Sequence, residues 1–159
     1  MIRNRIKELR QVKAADLLPN PKNWRRHPAK QKKAMQAVLK EIGYADALIA
    51  REDASGKLVL IDGHLRADTT PSELVPVLVL DVTEAEADKI LATLDPLASM
   101  AELDKTAWSE LIRGLESDGP EFKELLSSLD PKPMAGLTDE DAVPDPPKEP
   151  ITKPGDLWI

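Results

Sequence analysis

Two patterns of apolar residues alternate along the first 130 positions of the chain. Short apolar runs bounded by turn residues are typical of strands, whereas apolar residues three and four positions apart are typical of amphipathic helices. The first pattern predicts a weak strand that ends near Asp16, a hairpin whose two strands flank residues 54–57, and a buried strand over residues 74–80. Pro76 lacks an N–H donor, so we expect it at a sheet edge or near the start of its strand.

The second pattern predicts helices between and after these strands. A helix that starts at Ala29 should end at a left-handed Gly43, and Thr83 with Glu86 forms a capping-box pattern at the start of another. Shorter helices are predicted over residues 64–68, 105–116 and 120–129. The residues expected to be buried are Met35, Val38, Leu39 and Ile42 in the first helix; Ala87, Ile90, Leu91 and Leu94 in the second; and Trp108, Leu111, Ile112 and Leu115 in residues 105–116.

Length and composition narrow the possible classes of protein. A chain of 159 residues accommodates one core with extensions, which excludes two large domains. The absence of cysteine excludes disulfide scaffolds, zinc ribbons and thiol chemistry, and fits a cytoplasmic setting. We expect neither a signal peptide nor a membrane helix, because the apolar runs are too short. Eight of the 14 prolines lie in residues 120–154, and residues 130–159 are predicted to be an acidic, proline-rich linker or disordered tail.

Charge is divided unevenly along the chain. The first 40 residues carry 12 lysines and arginines against two acidic residues, whereas the remainder carries an excess of acid that brings the net charge to −6. This basic segment indicates a surface that contacts an anion, either nucleic acid or a nucleotide phosphate. The alternative is a solvated basic helix face.

Residues 60–67 (Leu-Ile-Asp-Gly-His-Leu-Arg-Ala) place a glycine between a strand and a helix. Such a junction presents free backbone N–H groups at the positive end of a helix dipole, and Gly63 would let a ligand approach the backbone. Arg66 could return to the same place to hold a phosphate, and His64 could add a donor or carry a proton. The alternative is a tight turn in which Arg66 pairs with Asp62 or Asp68.

A second cluster, Trp24-Arg25-Arg26, precedes the first helix and its lysines. An exposed tryptophan among cations can stack on a base while the arginines contact phosphates. The predicted DNA-binding residues are therefore Trp24, Arg25, Arg26, Lys30 and Lys33. The alternative is that Trp24 covers the core. Metal binding is weakly supported, because His27 and His64 are the only histidines and no paired acid–histidine spacing accompanies them.

Residues 61–67 resemble the glycine-acid-arginine-arginine-x-arginine-alanine box of ParB-like N-terminal domains, and residues 17–26 resemble their upstream proline-arginine turn. The order of elements over about residues 7–100 is also similar. The resemblance implies an α+β fold of the ParB/sulfiredoxin type, a small mixed sheet flanked by helices, in residues 1–100. Residues 101–129 would be a helical extension. It also implies a nucleotide or phosphate pocket at the box, formed by Gly63, His64, Arg66, Arg25 and Arg26, with a nucleoside triphosphate and magnesium as candidate ligands.

Departures from the family limit the chemistry that the resemblance implies. The asparagine and arginine of the later triphosphate motif are missing from residues 93–98, and His64 stands where sulfiredoxins have their catalytic cysteine. The sulfiredoxin reaction is therefore excluded, and no catalytic residue is assigned. A nuclease or nucleotide hydrolase that uses Asp62, His64 and Asp68 is the enzymatic alternative.

The last nine residues, 151–159, resemble the segment that joins ParB-like domains to the catalytic domains of phage and bacterial DNA amino-methyltransferases. Asp145-Pro146-Pro147-Lys148 carries a lysine where those enzymes carry a base-stacking aromatic, so no methyltransferase chemistry is expected in this chain. The sequence predicts a DNA- or nucleotide-binding module that assists a DNA-modifying partner or fused domain. A domain that binds proteins through the helices after residue 83, and binds no phosphate, is a third hypothesis.

Overall fold

A computed structural model describes residues 1–130, which form a four-stranded sheet flanked by helices. This confirms the predicted mixed α+β class. The strands are β1 (Ile6–Lys13), β2 (Leu48–Glu52), β3 (Leu58–Asp62) and β4 (Leu74–Leu80). The helices are α1 (Ala29–Glu41), α2 (His64–Thr69), α3 (Glu84–Ser99), α4 (Lys105–Arg113) and α5 (Pro120–Leu129), and a 3-10 turn covers Ala14–Asp16. The predicted proline-rich tail and its motifs at residues 145–148 and 151–159 lie outside the described residues.

The sheet has the strand order β1-β4-β2-β3 and is mixed. β4 runs antiparallel to β1 and parallel to β2, while β2 and β3 form the predicted antiparallel hairpin. β4 is thus an interior strand, so of the two positions predicted for Pro76 the sheet edge is wrong, whereas the position near the strand start agrees with the structure. Pairing with β2 begins at Val77, one residue after Pro76, and the parallel ladder therefore does not need the missing N–H.

The alternating side chains of β4 divide the core between the two faces of the sheet. Val75, Val77 and Val79 are fully buried on one face, where they pack with residues of β2, β3, α2 and the 3-10 turn. On the other face, Ala87 and Leu91 of α3 pack against Ile61 of β3. Thr83 and Glu86 form the predicted capping box at the start of α3, which fixes where this helix meets the sheet.

Some of the predicted buried residues lie on the surface. Leu94 is 39% exposed, Leu111 56% and Leu115 46%, and Ile42 at the end of α1 is 60% exposed. The reason in α3 is that its contact with the sheet ends at Leu91, and Leu94 belongs to neither core cluster. In α4 only Ile112 is buried. None of the helices in residues 1–130 combines the length and the apolar character that crossing a bilayer requires.

Candidate functional site

Two adjacent cavities open between the loop that precedes α1 and the junction of β3 with α2. Their volumes are about 670 Å³ and about 160 Å³. Both cavities are lined by Asn23, Arg25, His27 and His64. We call the two cavities together the cleft. The sequence motif at residues 60–67 and the arginine cluster that precedes α1, which are about 40 residues apart in the chain, therefore meet at one place.

Gly63 is buried at the junction itself and starts α2 in the left-handed conformation, with φ of 93°. A β-carbon built there would lie 2.6 Å from Leu48 Cγ and 3.1 Å from Leu48 Cβ. Both the backbone angle and the contact with β2 therefore require glycine at this position. The backbone conformation and the packing against Leu48 are sufficient to explain this glycine. The glycine is therefore not evidence that a ligand approaches the backbone here.

His64 fastens the loop before α1 to the start of α2. The side chain is buried, and its Nε2 accepts a hydrogen bond of 3.1 Å from the backbone N–H of Asn20. A ring nitrogen that accepts a hydrogen bond carries no proton, so the neutral ring is protonated at Nδ1. Burial lowers the pKa of His64, because the imidazolium form would lose solvation. Here His64 is a neutral structural acceptor.

Arg66 points to two carboxylates at the rim of the cleft. Its Nη2 lies 3.1 Å from Asp62 Oδ2, one helical turn earlier, and its Nη1 lies 2.7 Å from Asp46 Oδ2 in the loop after α1. The pairing of Arg66 with Asp62 is the structural alternative that the sequence left open. Asp46 is a partner that sequence reasoning missed, since nothing in its spacing relates it to the box.

Arg25 reaches the same carboxylate from the other side of the cleft. Its Nη1 lies 3.4 Å from Asp62 Oδ1, and the guanidinium also pairs with Asp95 of α3. The guanidinium carbon sits 5.3 Å from the centroid of the Trp24 ring, a cation–π arrangement. The Trp24 indole N–H donates to the carbonyl of Leu91 at 3.3 Å, although the residue remains 58% exposed. Trp24 therefore positions Arg25 against α3 and does not fill the core.

The side chains proposed for hydrolysis are not assembled into one centre. Asp62 is held by two guanidinium groups, His64 Nε2 is already an acceptor, and Asp68 is exposed at the wall of the larger cavity. Within residues 1–130, no three His, Asp or Glu side chains are grouped so that they could hold a metal ion.

Much of the positive charge in the first 40 residues is neutralised by contacts across the fold. Arg5 pairs with Glu86 at 2.7 Å, Lys7 with Glu52 at 2.7 Å, and Lys22 with Asp88 at 2.6 Å. These acidic partners come from β2 and α3, which explains why the basic segment does not form one continuous basic surface. Many of the basic residues in the first 40 positions thus pair with acidic residues of later elements against which this segment packs.

Several cations without such a partner lie near and along α1. Arg26, Lys30 and Lys33 are exposed, and none forms an ion pair with another side chain of residues 1–130. Lys30 and Lys33 line a separate groove of about 560 Å³ between α1 and α5. We call the exposed surface formed by Arg26, Lys30 and Lys33 the α1 surface. The residues predicted to bind DNA are therefore divided between the cleft, where Arg25 lies, and the α1 surface.

Comparison with known proteins identifies solved structures that have a similar fold. No protein-family model and no curated protein sequence match the chain. A crystal structure of the C-terminally truncated chromosome-partitioning protein ParB from Caulobacter crescentus, complexed with CTP-γ-S, matches with a TM-score of 0.57 and 16% sequence identity over 67% of this chain. The match covers 61% of the ParB chain, less than two thirds of its length. The described domain therefore has the ParB-type fold that the resemblance implied.

Two further solved structures match less closely. The same Caulobacter crescentus protein complexed to the centromeric parS site has a TM-score of 0.44 and 14% identity, covering 74% of this chain and 64% of that one. A Pnob8-like ParB-N domain has a TM-score of 0.44 and 18% identity, covering 80% of this chain and 64% of that one.

Proposed function

We propose that residues 1–100 form a module that binds a phosphate-bearing ligand in the cleft, with a nucleoside triphosphate as the first candidate. One observation carries the proposal: Arg25 and Arg66, from separate elements, converge on the single carboxylate of Asp62 at the wall of a cavity. Paired guanidinium groups recognise planar or tetrahedral oxyanions through fixed, bidentate donors. The position of the Asp62 carboxylate between these two guanidinium groups supports the proposal that they bind oxyanions.

The dimensions and the fold support a nucleotide. A cavity of about 670 Å³ falls within the range of roughly 300 to 1,000 Å³ that small-molecule sites occupy. Its wall includes apolar side chains such as Leu17 and Pro19, beside the polar residues that it shares with the smaller cavity. The ParB structure with the same fold was solved with CTP-γ-S. Magnesium would enter with the triphosphate.

The geometry favours binding over hydrolysis. A general base must be free to accept a proton from water or from a hydroxyl group. His64 Nε2 already accepts from Asn20, and Asp62 is engaged by both arginines. We therefore assign His64 the role of fixing the loop of Asn20 beside the phosphate subsite.

Contact with DNA is a second proposed activity, and the α1 surface is the observation that favours it. Arg26, Lys30 and Lys33 remain exposed while most neighbouring cations are paired, so they are available to phosphates of a nucleic-acid backbone. Together with the resemblance at residues 151–159, this surface suits a module that assists a DNA-modifying partner such as a methyltransferase. The exposed Leu111 of α4 and Leu115, two residues after the end of this helix, would serve a protein partner under the third hypothesis.

Titration by two-dimensional NMR tests the nucleotide proposal. CTP, ATP, unphosphorylated cytidine and short duplex DNA are added to the whole chain, and the amides of Asn20 and Gly63 and the Trp24 indole are followed. We expect CTP or ATP to shift these signals with saturation and cytidine to have no effect. Arg25→Gln should weaken binding, while Arg10→Gln should not, because Arg10 pairs with Glu52 outside the cleft. If no nucleotide shifts these signals at low salt, the proposed function is wrong.

A further inference from the structure

An unbroken chain of ion pairs spans the cleft. It runs from Asp46 through Arg66, Asp62 and Arg25 to Asp95, and so joins the loop after α1, α2, the end of β3, the loop before α1, and α3. Three carboxylates therefore share two guanidinium groups. Every phosphate that binds these arginines must compete with carboxylates that the protein itself supplies.

The three carboxylates differ in how readily a bound anion could displace them from the arginines. Asp62 is central, touches both arginines and has a side chain only 22% exposed. Asp46 and Asp95 end the chain of ion pairs, each contacts one arginine, and their side chains are 76% and 37% exposed. A released terminal carboxylate regains water, so its displacement costs little, whereas Asp62 would lose two partners at once.

We propose, on the basis of the proposed function, that Asp46 and Asp95 are internal competitors that determine which anions the cleft accepts. A single phosphate can replace only one terminal carboxylate, and that exchange of one anion for another yields little net affinity. A ligand with linked phosphoryl groups can replace both terminal carboxylates while losing its translational freedom only once. Asp46 and Asp95 therefore discriminate against small monophosphate anions, although neither residue has to touch the bound ligand.

The inference makes Asp95 a specificity-determining residue. Its effect depends on its contact with Arg25 and not merely on the presence of a negative charge on α3. Asp88 lies on the same helix two turns earlier and pairs with Lys22 at 2.6 Å, away from both cavities. Asp88→Asn removes the same charge from α3 as Asp95→Asn but leaves Arg25 paired. It is the matched control for a general electrostatic effect on anion binding.

Calorimetric and NMR titrations with orthophosphate, pyrophosphate and tripolyphosphate test the inference at one fixed ionic strength. Wild type should prefer tripolyphosphate. Asp95→Asn and Asp46→Asn should each strengthen the binding of orthophosphate by up to about fivefold, the range expected when an exposed or partly exposed ion-pair competitor is removed. The affinity for tripolyphosphate should increase less, so the ratio of the tripolyphosphate and orthophosphate affinities should become smaller. The Arg25 Nε–Hε signal should shift more on addition of ligand in Asp95→Asn than in wild type. Asp88→Asn should follow wild type, and matching melting temperatures verify folding.

The outcomes separate this inference from the proposed function. Suppose that wild type binds tripolyphosphate and that the three variants Asp95→Asn, Asp46→Asn and Asp88→Asn have the same affinities for the probes as one another. Internal competition is then wrong, while phosphate binding stands. If the double variant Asp46→Asn/Asp95→Asn is the only chain that binds the probes, internal competition stands, but the proposed function of the wild-type chain is wrong. If neither wild type nor any variant binds a probe, both the proposed function and the inference fail.

Discussion

Gly63 lies directly against Leu48, so that a β-carbon on Gly63 would sit 2.6 Å from the Leu48 Cγ. The contact joins the start of α2 to the fully buried side chain that opens β2. It fixes the backbone from which His64 and Arg66 project. Any change at Gly63 therefore affects the core and the cleft together.

We predict that Gly63→Ala destabilises the domain more than Gly56→Ala in the hairpin turn. Both glycines have positive φ, 93° and 80°, but no atom lies within 4 Å of a β-carbon on Gly56. Gly56→Ala should cost about 1 to 2 kcal/mol from the backbone conformation. Gly63→Ala should cost about 1 to 3 kcal/mol more from overpacking. Urea denaturation measures both, and equal losses would show that Leu48 moves aside freely.

The hydrogen bond from Asn20 to His64 predicts both a tautomer and a pH dependence. Because burial lowers the pKa of folded His64 below 6.5, its value in the unfolded chain is the higher one. The unfolded state then takes up the proton first, so stability is full above about pH 6.5 and falls as the pH drops below it. Long-range ¹H–¹⁵N spectra should show a ring protonated at Nδ1. The melting temperature of His64→Gln should vary less between pH 7.5 and 5.5 than that of wild type.

Arg5, the residue before β1, pairs with Glu86 in the first turn of α3. Two hydrogen bonds from Arg5, at 2.7 and 2.9 Å, lower the pKa of Glu86 to about 2, and bonds from Thr83 add to this effect. A folded pKa below the usual 4.5 means that the contribution to stability is present above pH 4.5 and is lost as the pH falls toward 2. The stability difference between wild type and Glu86→Gln should therefore shrink over this window.

Glu84→Gln provides the comparison, because Glu84 also lies in the first turn of α3 but is 63% exposed and pairs with Lys22 and Arg51 instead of Arg5. At neutral pH, Glu86→Gln should lower the melting temperature more than Glu84→Gln. Equal effects would mean that the hydrogen bonds from Arg5 add nothing beyond an exposed ion pair and a charge near the helix N-terminus.

DNA binding by the α1 surface predicts a specific salt dependence. Replacing both Lys30 and Lys33 by Gln should weaken binding to any duplex and reduce the slope of log affinity against log salt by about 2, one for each lost phosphate contact. The matched variant replaces Lys7 and Lys22, which are held by Glu52 and by Asp88. Fluorescence anisotropy compares the two, and identical salt slopes would exclude the α1 surface as the site of contact.

The sequence by itself determined the local structure of this protein. The hairpin around residues 54–57, the capping box of Thr83 and Glu86, and the glycine at the start of α2 all follow from interactions within a few residues, and the structure has each of them. The motif at residues 61–67, with the order of elements, also indicated the ParB-type fold.

Tertiary structure decided which of these features meet. It placed β4 inside the sheet despite Pro76, and it left Leu94, Leu111 and Leu115 exposed because helical spacing records an apolar stripe but not whether a partner covers it. It also joined Arg25 and Arg66 to Asp46, Asp62 and Asp95, residues that are up to 70 positions apart in the chain. Ion pairs between distant segments depend on how whole elements pack, and no local pattern of residues specifies that packing.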